Sequence, residues 1–303
     1  MIYTVTLNPS LDYRIEIDHL MLGKTNRNQN EKIYVGGKGI NVSQVVSAFG
    51  KETCALGFVA GFTGDEIVRQ LHELHINTDF VRVSGLSRIN VKMKTDVETE
   101  MNGVGPIVSE NDVACLLEKL DQLQNGDYLV LSGSVPIGGG KDIYCRMMHR
   151  VNQKGVRVVV DCEGQVLLNT LSLHPFLIKP NTDELSALVN EKIESYEDAI
   201  RGARTLQNMG ARNVIVTLGA SGAAFVSESG SLYIQKAVHG SVISTVGAGD
   251  SVIGGFVSHY KCGEKEAFLY GCASGSATCF VDGLCEISDV EKLLNRIEVT
   301  QWK

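Results

Sequence analysis

The chain reads as an α/β protein built on a mainly parallel sheet with helices on both faces. Short apolar runs alternate with longer segments of helical spacing, which is the order a parallel sheet requires. Its 303 residues, 44% of them hydrophobic, supply a sizeable core. Strands are expected at Tyr3 to Leu7, Tyr128 to Leu131, Val156 to Asp161, Phe176 to Ile178 and Val214 to Leu218. Helices are expected at Ile40 to Phe49, Gly64 to His75, Asp112 to Leu123, Asp142 to Gln153, Asp183 to Asn190 and Ser195 to Met209. Five prolines and no Ser/Pro-rich or charge-rich run leave no linker, so residues 1–303 are expected to form one domain. Ligands of such sheets lie beyond the carboxyl ends of the strands, where Asn8 to Asp12, Ser132-Gly133-Ser134, Asp161 and Lys179-Pro180-Asn181 fall.

One segment departs from this pattern. From Arg88 to Lys94 polar and apolar residues alternate strictly, so one strand face carries Arg88, Asn90, Lys92 and Lys94 and the other Ile89, Val91 and Met93. A strand with one wet, basic face does not suit the middle of an α/β sheet. It is expected to form, with the polar stretch Tyr13 to Lys32, a small β lid over residues of about 13–34 and 87–107. A solvated edge strand protected by lysines is the alternative. Arg88 is the candidate for binding a substrate phosphate, because a guanidinium offers an anion a planar fork of donors.

Composition excludes several functions. A net charge of −7 argues against a nucleic-acid partner, whose binders carry a basic domain or stripe. Eight cysteines without CxxC spacing argue against a zinc motif and for reduced thiols. The first residues lack a basic leader, and nowhere do about 18 apolar residues run together, so no membrane partner and a cytoplasmic location are expected.

Two glycine clusters and one turn carry the chemistry. In Ser244-Thr245-Val246-Gly247-Ala248-Gly249-Asp250 small residues let backbone N–H groups converge at a helix start, where partial positive charge gathers, and Asp250 adds a carboxylate beside them. Moving a phosphoryl group onto a hydroxyl needs such an anion cradle and such a base; a Gly-rich turn with a capping Asp is the plainer alternative. Val35 to Ser43 contains Gly36, Gly37, Lys38, Gly39 and Asn41 at a helix mouth, without Walker A spacing. Thr217-Leu218-Gly219-Ala220-Ser221-Gly222 lies between two β-like runs, as a phosphate-facing loop or as a bare hairpin turn. Asn181-Thr182-Asp183-Glu184 has the spacing of a capping box.

Together, Gly36 to Ser43 near the start and Thr245 to Asp250 near the end resemble the two signatures of the ribokinase-like (PfkB) carbohydrate kinases, in the right order and over essentially the whole chain. Thr6 to Asp12, Arg88 to Lys92 and Glu98 to Pro106 are most similar to the 1-phosphofructokinase branch, with the tagatose-6-phosphate kinases as close relatives. Ala60, where the first signature usually has glycine, and Val104, where a proline is common, depart from the pattern. The resemblance implies a Rossmann-like three-layer sandwich with a β lid, a homodimer formed through that lid, and ATP with Mg²⁺ as donor. It also implies roles: Asp250 as base; Gly247, Ala248 and Gly249 as anion hole; Asp12, Gly37 and Asn41 near sugar hydroxyls; Arg27, Lys38, Arg88 and Ser134 near the sugar phosphate. Lys179, Asn181, Thr217, Gly219 and Gly222 would face the nucleotide, and Glu184 would act on magnesium through water. The expected reaction is ATP-dependent phosphorylation of a phosphorylated ketohexose, fructose 1-phosphate first, for which Asp250 needs no raised pKa. A different PfkB sugar kinase, or a sensor that binds without turnover, are the rival readings.

Overall fold

In the computed structural model residues 1–95, 97 and 99–302 are described. Glu98, part of one stretch singled out above, lies outside them. Eleven strands form the large sheet. Its parallel body runs Asn213–Thr217, Leu177–Ile178, Arg157–Asp161, Tyr128–Ser132, Ile2–Thr6, Thr53–Ala60 and Asn77–Thr78, with Val81–Val83 pairing the far end of Thr53–Ala60. Gly222–Val226, Leu232–Lys236 and Val299–Gln301 extend one edge in antiparallel fashion.

The strands are apolar on both faces because both are covered. Val5, Leu129, Leu131, Val158 and Val160 join one buried cluster; Ile2, Tyr128, Val130 and Val159 join a second on the opposite face. The resulting three layers are the Rossmann-like sandwich expected, and each expected strand and helix is present within four residues of its predicted bounds.

Three elements gave no readable period. Thr53–Ala60 is buried at every position, so its apolar run has no alternation to mark it. Gly164–Leu171 is a short helix of eight residues. Glu264–Cys279 carries small residues on most sides, because it packs tightly on the helix Ala248–His259: a Cβ at Gly271 would stand 2.8 Å from the carbonyl of Val252.

A second sheet of four strands contains Asn30–Gly36, Ser10–Glu16, Arg88–Lys94 and Thr99–Met101, in that order. It starts at Ser10, slightly earlier than the expected lid. Ser10, Asp12 and Arg14 pair in register with Arg88, Asn90 and Lys92, so these six share one face. That polar face is turned inward: Asn90 is buried, while Ile33 and Ile89 on the other face are 53% and 44% exposed. The expectation of a wet basic face is therefore corrected. Near the root the apolar face packs on the helix Gly61–Glu73 through Leu11, Val35, Ile67 and Leu71. Across the mouth between the sheets, Asp282 accepts from Arg14 Nη1 at 2.6 Å and pairs with Lys32 Nζ at 3.1 Å. Among the described residues no helix is long and apolar enough to cross a membrane.

Candidate active site

The carboxyl ends of the central strands open into a cleft of about 470 Å³ whose lining includes Asn8, Gly37, Lys38, Arg88, Ser134 and Glu163. Five buried side-chain polar atoms lack a hydrogen-bond partner among the described residues, and four of them belong to strand ends around this cleft: Thr6 Oγ1, Asn8 Oδ1, Ser132 Oγ and Asp161 Oδ2. Buried polar atoms are normally satisfied, so this clustering marks a place for a polar ligand.

Asp250 lies in the first turn of Ala248–His259 and is 6% exposed. Asn41, from the helix Lys38–Ala48, donates Nδ2–H to its Oδ2 at 2.8 Å. Burial, then the charge of Asp161, push its pKa up to about 7, against the pull of Asn41, Lys179 and Lys38. The sequence suggests no need for such a rise; it follows from depth. First-turn amides such as those of Gly249 and Asp250 have no acceptor within their helix. Gly247 must be glycine: its φ is +77°, and a Cβ there would stand 2.5 Å from Leu284. Lys179, 7% exposed, brings its ammonium against this turn, 3.0 Å from where a Cβ of Gly249 would stand.

The opposite wall carries both signs of charge. Lys38 is 3.8 Å from both Asp161 and Glu163. Burial works against its charge, but Asp161, Asp250, Glu184 and Glu163 outweigh it and raise its pKa. Arg88 donates Nε–H to the carbonyl of Asn8 at 3.0 Å, and burial lowers its pKa. Asp12 accepts from Ser10 at 2.7 Å and Asn90 at 2.8 Å and pairs with Lys92 at 3.1 Å. Lys92 is thus ion-paired within the small sheet. Ser134 is exposed at the cleft, whereas Arg27 lies exposed on the connection between the first two small-sheet strands and does not line the cleft in its own chain.

On the far side, Asn181 and Glu184 form the expected capping box: Glu184 Oε2 accepts from Asn181 N and Asn181 Oδ1 from Glu184 N, both at 2.8 Å. Glu184 also lies close enough to act on the charge of Lys38. Thr217 ends its strand, and Gly219 and Gly222 shape an antiparallel hairpin with φ of +54° and +111°. Sequence reasoning placed Asn8, Ser132 and Asp161 only at strand ends and gave Thr6 no role of its own. Their place at carboxyl termini of central strands was the available signal.

Asp250 is buried and is not among the residues lining the cleft, but its charge is felt by Lys38, which is; a buried carboxylate at a helix start beside an anion-accepting cleft is the arrangement of a phosphotransferase acting on an alcohol group. A family profile described as pfkB family carbohydrate kinase matches residues 5–291. The chain belongs to that family. It is 41% identical to a 1-phosphofructokinase of Bacillus subtilis, over 99% of this chain and 100% of the relative. It is 35% identical to a D-tagatose-1-phosphate kinase of Bacillus licheniformis, over 99% of each. The structure of phosphofructokinase-2 from Escherichia coli in complex with substrates and products superposes with a TM-score of 0.91 at 29% identity, over 97% of this chain and 98% of that one.

Proposed function

We propose that the chain transfers the γ-phosphoryl group of ATP to the C6 hydroxyl of a ketohexose 1-phosphate, fructose 1-phosphate above all, giving the 1,6-bisphosphate and ADP. The observation that carries this reading is Asp250, buried at a helix start, with Asn41 bonded to it and Lys38 and Lys179 acting on its charge. The O6–phosphorus bond forms as the bond from the γ-phosphorus to the bridging oxygen breaks, and the hydroxyl proton passes to Asp250. Gly247 and Gly249 offer amides to the charge on the transferring group, joined by Ala248 once its amide gives up the 3.3 Å bond to the carbonyl of Thr245. Lys38, Arg88 and Ser134 hold the sugar phosphate, joined by Arg27 if its loop folds inward or reaches another copy. Gly37, Asn41 and Asp12 meet the hydroxyls, Asp12 being preset by Ser10 and Asn90.

Lys179, Asn181, Thr217, Gly219 and Gly222 face the ATP phosphates. Magnesium keeps several waters and takes few protein ligands, so although no described cluster of three or more acidic, His or Cys side chains exists to hold a metal, the unengaged Oε1 of Glu184 suits it; bound there, it would neutralise phosphate charge. Exposed Ile33, Ile89 and Met101 on the outer face of the small sheet support self-association through the lid.

The C1 phosphate in this reading is supported by the names of two relatives, a 1-phosphofructokinase and a D-tagatose-1-phosphate kinase. Tagatose 1-phosphate is the second candidate, and the 6-phosphates of both sugars the third. A panel of these compounds and ribose, followed by coupled ADP release, should give the highest kcat/KM with fructose 1-phosphate. Activity on ribose but not on phosphosugars would remove the phosphate-binding role of the cationic wall. Tight binding without ADP would favour a sensor.

A further inference from the structure

Asp161 closes the strand Arg157–Asp161 at the cleft edge with a side chain only 3% exposed. Its Oδ1 stands 3.4 Å from Lys179 Nζ. Its Oδ2 stands 3.8 Å from Lys38 Nζ and has no hydrogen-bond partner among the described residues. A buried carboxylate ordinarily gathers short, direct donors; this one has two cations at longer range and a bare oxygen. Stability does not account for the arrangement, because an incompletely satisfied buried charge is costly. Among the described residues Asp161 is also the one acid that pairs with both lysines, one that lines the cleft with Arg88 and one against the first turn that carries Asp250.

We infer that Asp161 is a positioning residue for phosphoryl transfer: it holds Lys38 and Lys179 on opposite sides of the point where the two substrates meet, and sets the charge that Asp250 experiences. The inference rests on Asp250 being the base. The groups that bear on Asp250 come from three directions. Asn41 and Lys38 reach it from the helix Lys38–Ala48, Lys179 from the segment after Leu177–Ile178, and Asp161 from its strand end. Glu163 and Glu184 act on Lys38 in turn. With the Asp161 charge removed and both lysines kept, Asp250 faces an excess of positive charge and binds its proton less tightly.

The test is Asp161→Asn, which keeps size and removes charge, assayed with fructose 1-phosphate and ATP across pH. The acid limb of kcat/KM should move down by about one pH unit, and kcat at pH 8 should fall about ten- to a hundredfold with smaller changes in KM. Asp161→Glu keeps the charge but displaces it, so its acid limb should stay in place while kcat still falls. A second readout needs no turnover and no substrate: the carboxyl ¹³C resonance that vanishes in Asp250→Asn should titrate at lower pH in Asp161→Asn and at unchanged pH in Asp161→Glu. An unmoved titration in Asp161→Asn, or an equal shift in both variants, overturns the inference. Normal turnover by Asp250→Ala would instead remove the base assignment, and the resonance would still report whether Asp161 governs that carboxyl.

Discussion

The two sides of the cleft are built in opposite ways. On the side proposed for the sugar phosphate, Thr6, Asn8 and Ser132 leave buried polar atoms without partners, and Arg88 is held by a single carbonyl bond. On the side proposed for the nucleotide, Asn181 and Glu184 satisfy each other as a helix cap, and the Thr217 to Gly222 turn closes its own hydrogen bond, Leu218 N to Gly222 O at 2.8 Å. One wall is incomplete until a ligand arrives; the other is already complete as secondary structure. Damage to the first should therefore appear in substrate kinetics, whereas damage to the second should also appear in the stability of the free protein.

The largest effect belongs to the point where the walls meet. Asp250→Ala should lower kcat by about 10³-fold or more while calorimetry still detects both substrates; near-normal kcat would break the comparison at its centre. Next, Arg88→Met should raise KM for fructose 1-phosphate about 10- to 100-fold with kcat and the KM for ATP little changed, as expected for a lost charge-assisted contact. Glu184→Ala, on the completed wall, should weaken the dependence on magnesium and also lower the melting temperature of the ligand-free chain by about 2–4 °C through loss of the cap. An unchanged melting temperature would erase the distinction between the walls.

The smallest effect is one of pH. The folded chain holds Asp250 with a pKa near 7, above the ordinary carboxylate range. It therefore binds an extra proton relative to the unfolded chain within that window, and the stability tied to this group is lost as pH rises through it. Asp250→Asn should accordingly melt higher than the parent at pH 8, by about 2–4 °C, with the difference vanishing toward pH 4. Equal melting temperatures at pH 8 would mean that the carboxylate carries no burial cost.

The fold was legible because buried parallel strands and amphipathic helices leave opposite patterns, and the expected elements lie close to the observed ones. Legibility failed where the pattern carries no period: Thr53–Ala60 is buried throughout, and Glu264–Cys279 beyond its charged first turn is mostly small residues. At the site, glycine spacing exposed Gly37, Gly247 and Asp250, and the alternation of Arg88 to Lys94 exposed the small sheet. The direction in which that sheet faces was not legible, because alternation states that two faces differ and leaves open which one meets solvent. Nor was the pairing of Lys92 with Asp12 or the approach of Lys38 to Asp161, both of which join positions about 80 or more apart in sequence.

Asp282 adds a consequence outside the cleft. This one surface carboxylate, 44% exposed, ties both Arg14 and Lys32 of the small sheet to the turn that follows Glu264–Cys279. Mobile ions weaken exposed pairs of this kind, with a screening distance of about 8 Å at physiological ionic strength. Added salt should thus weaken this tie across the mouth, between the small sheet and the turn after Glu264–Cys279, more than it weakens the buried apolar layers.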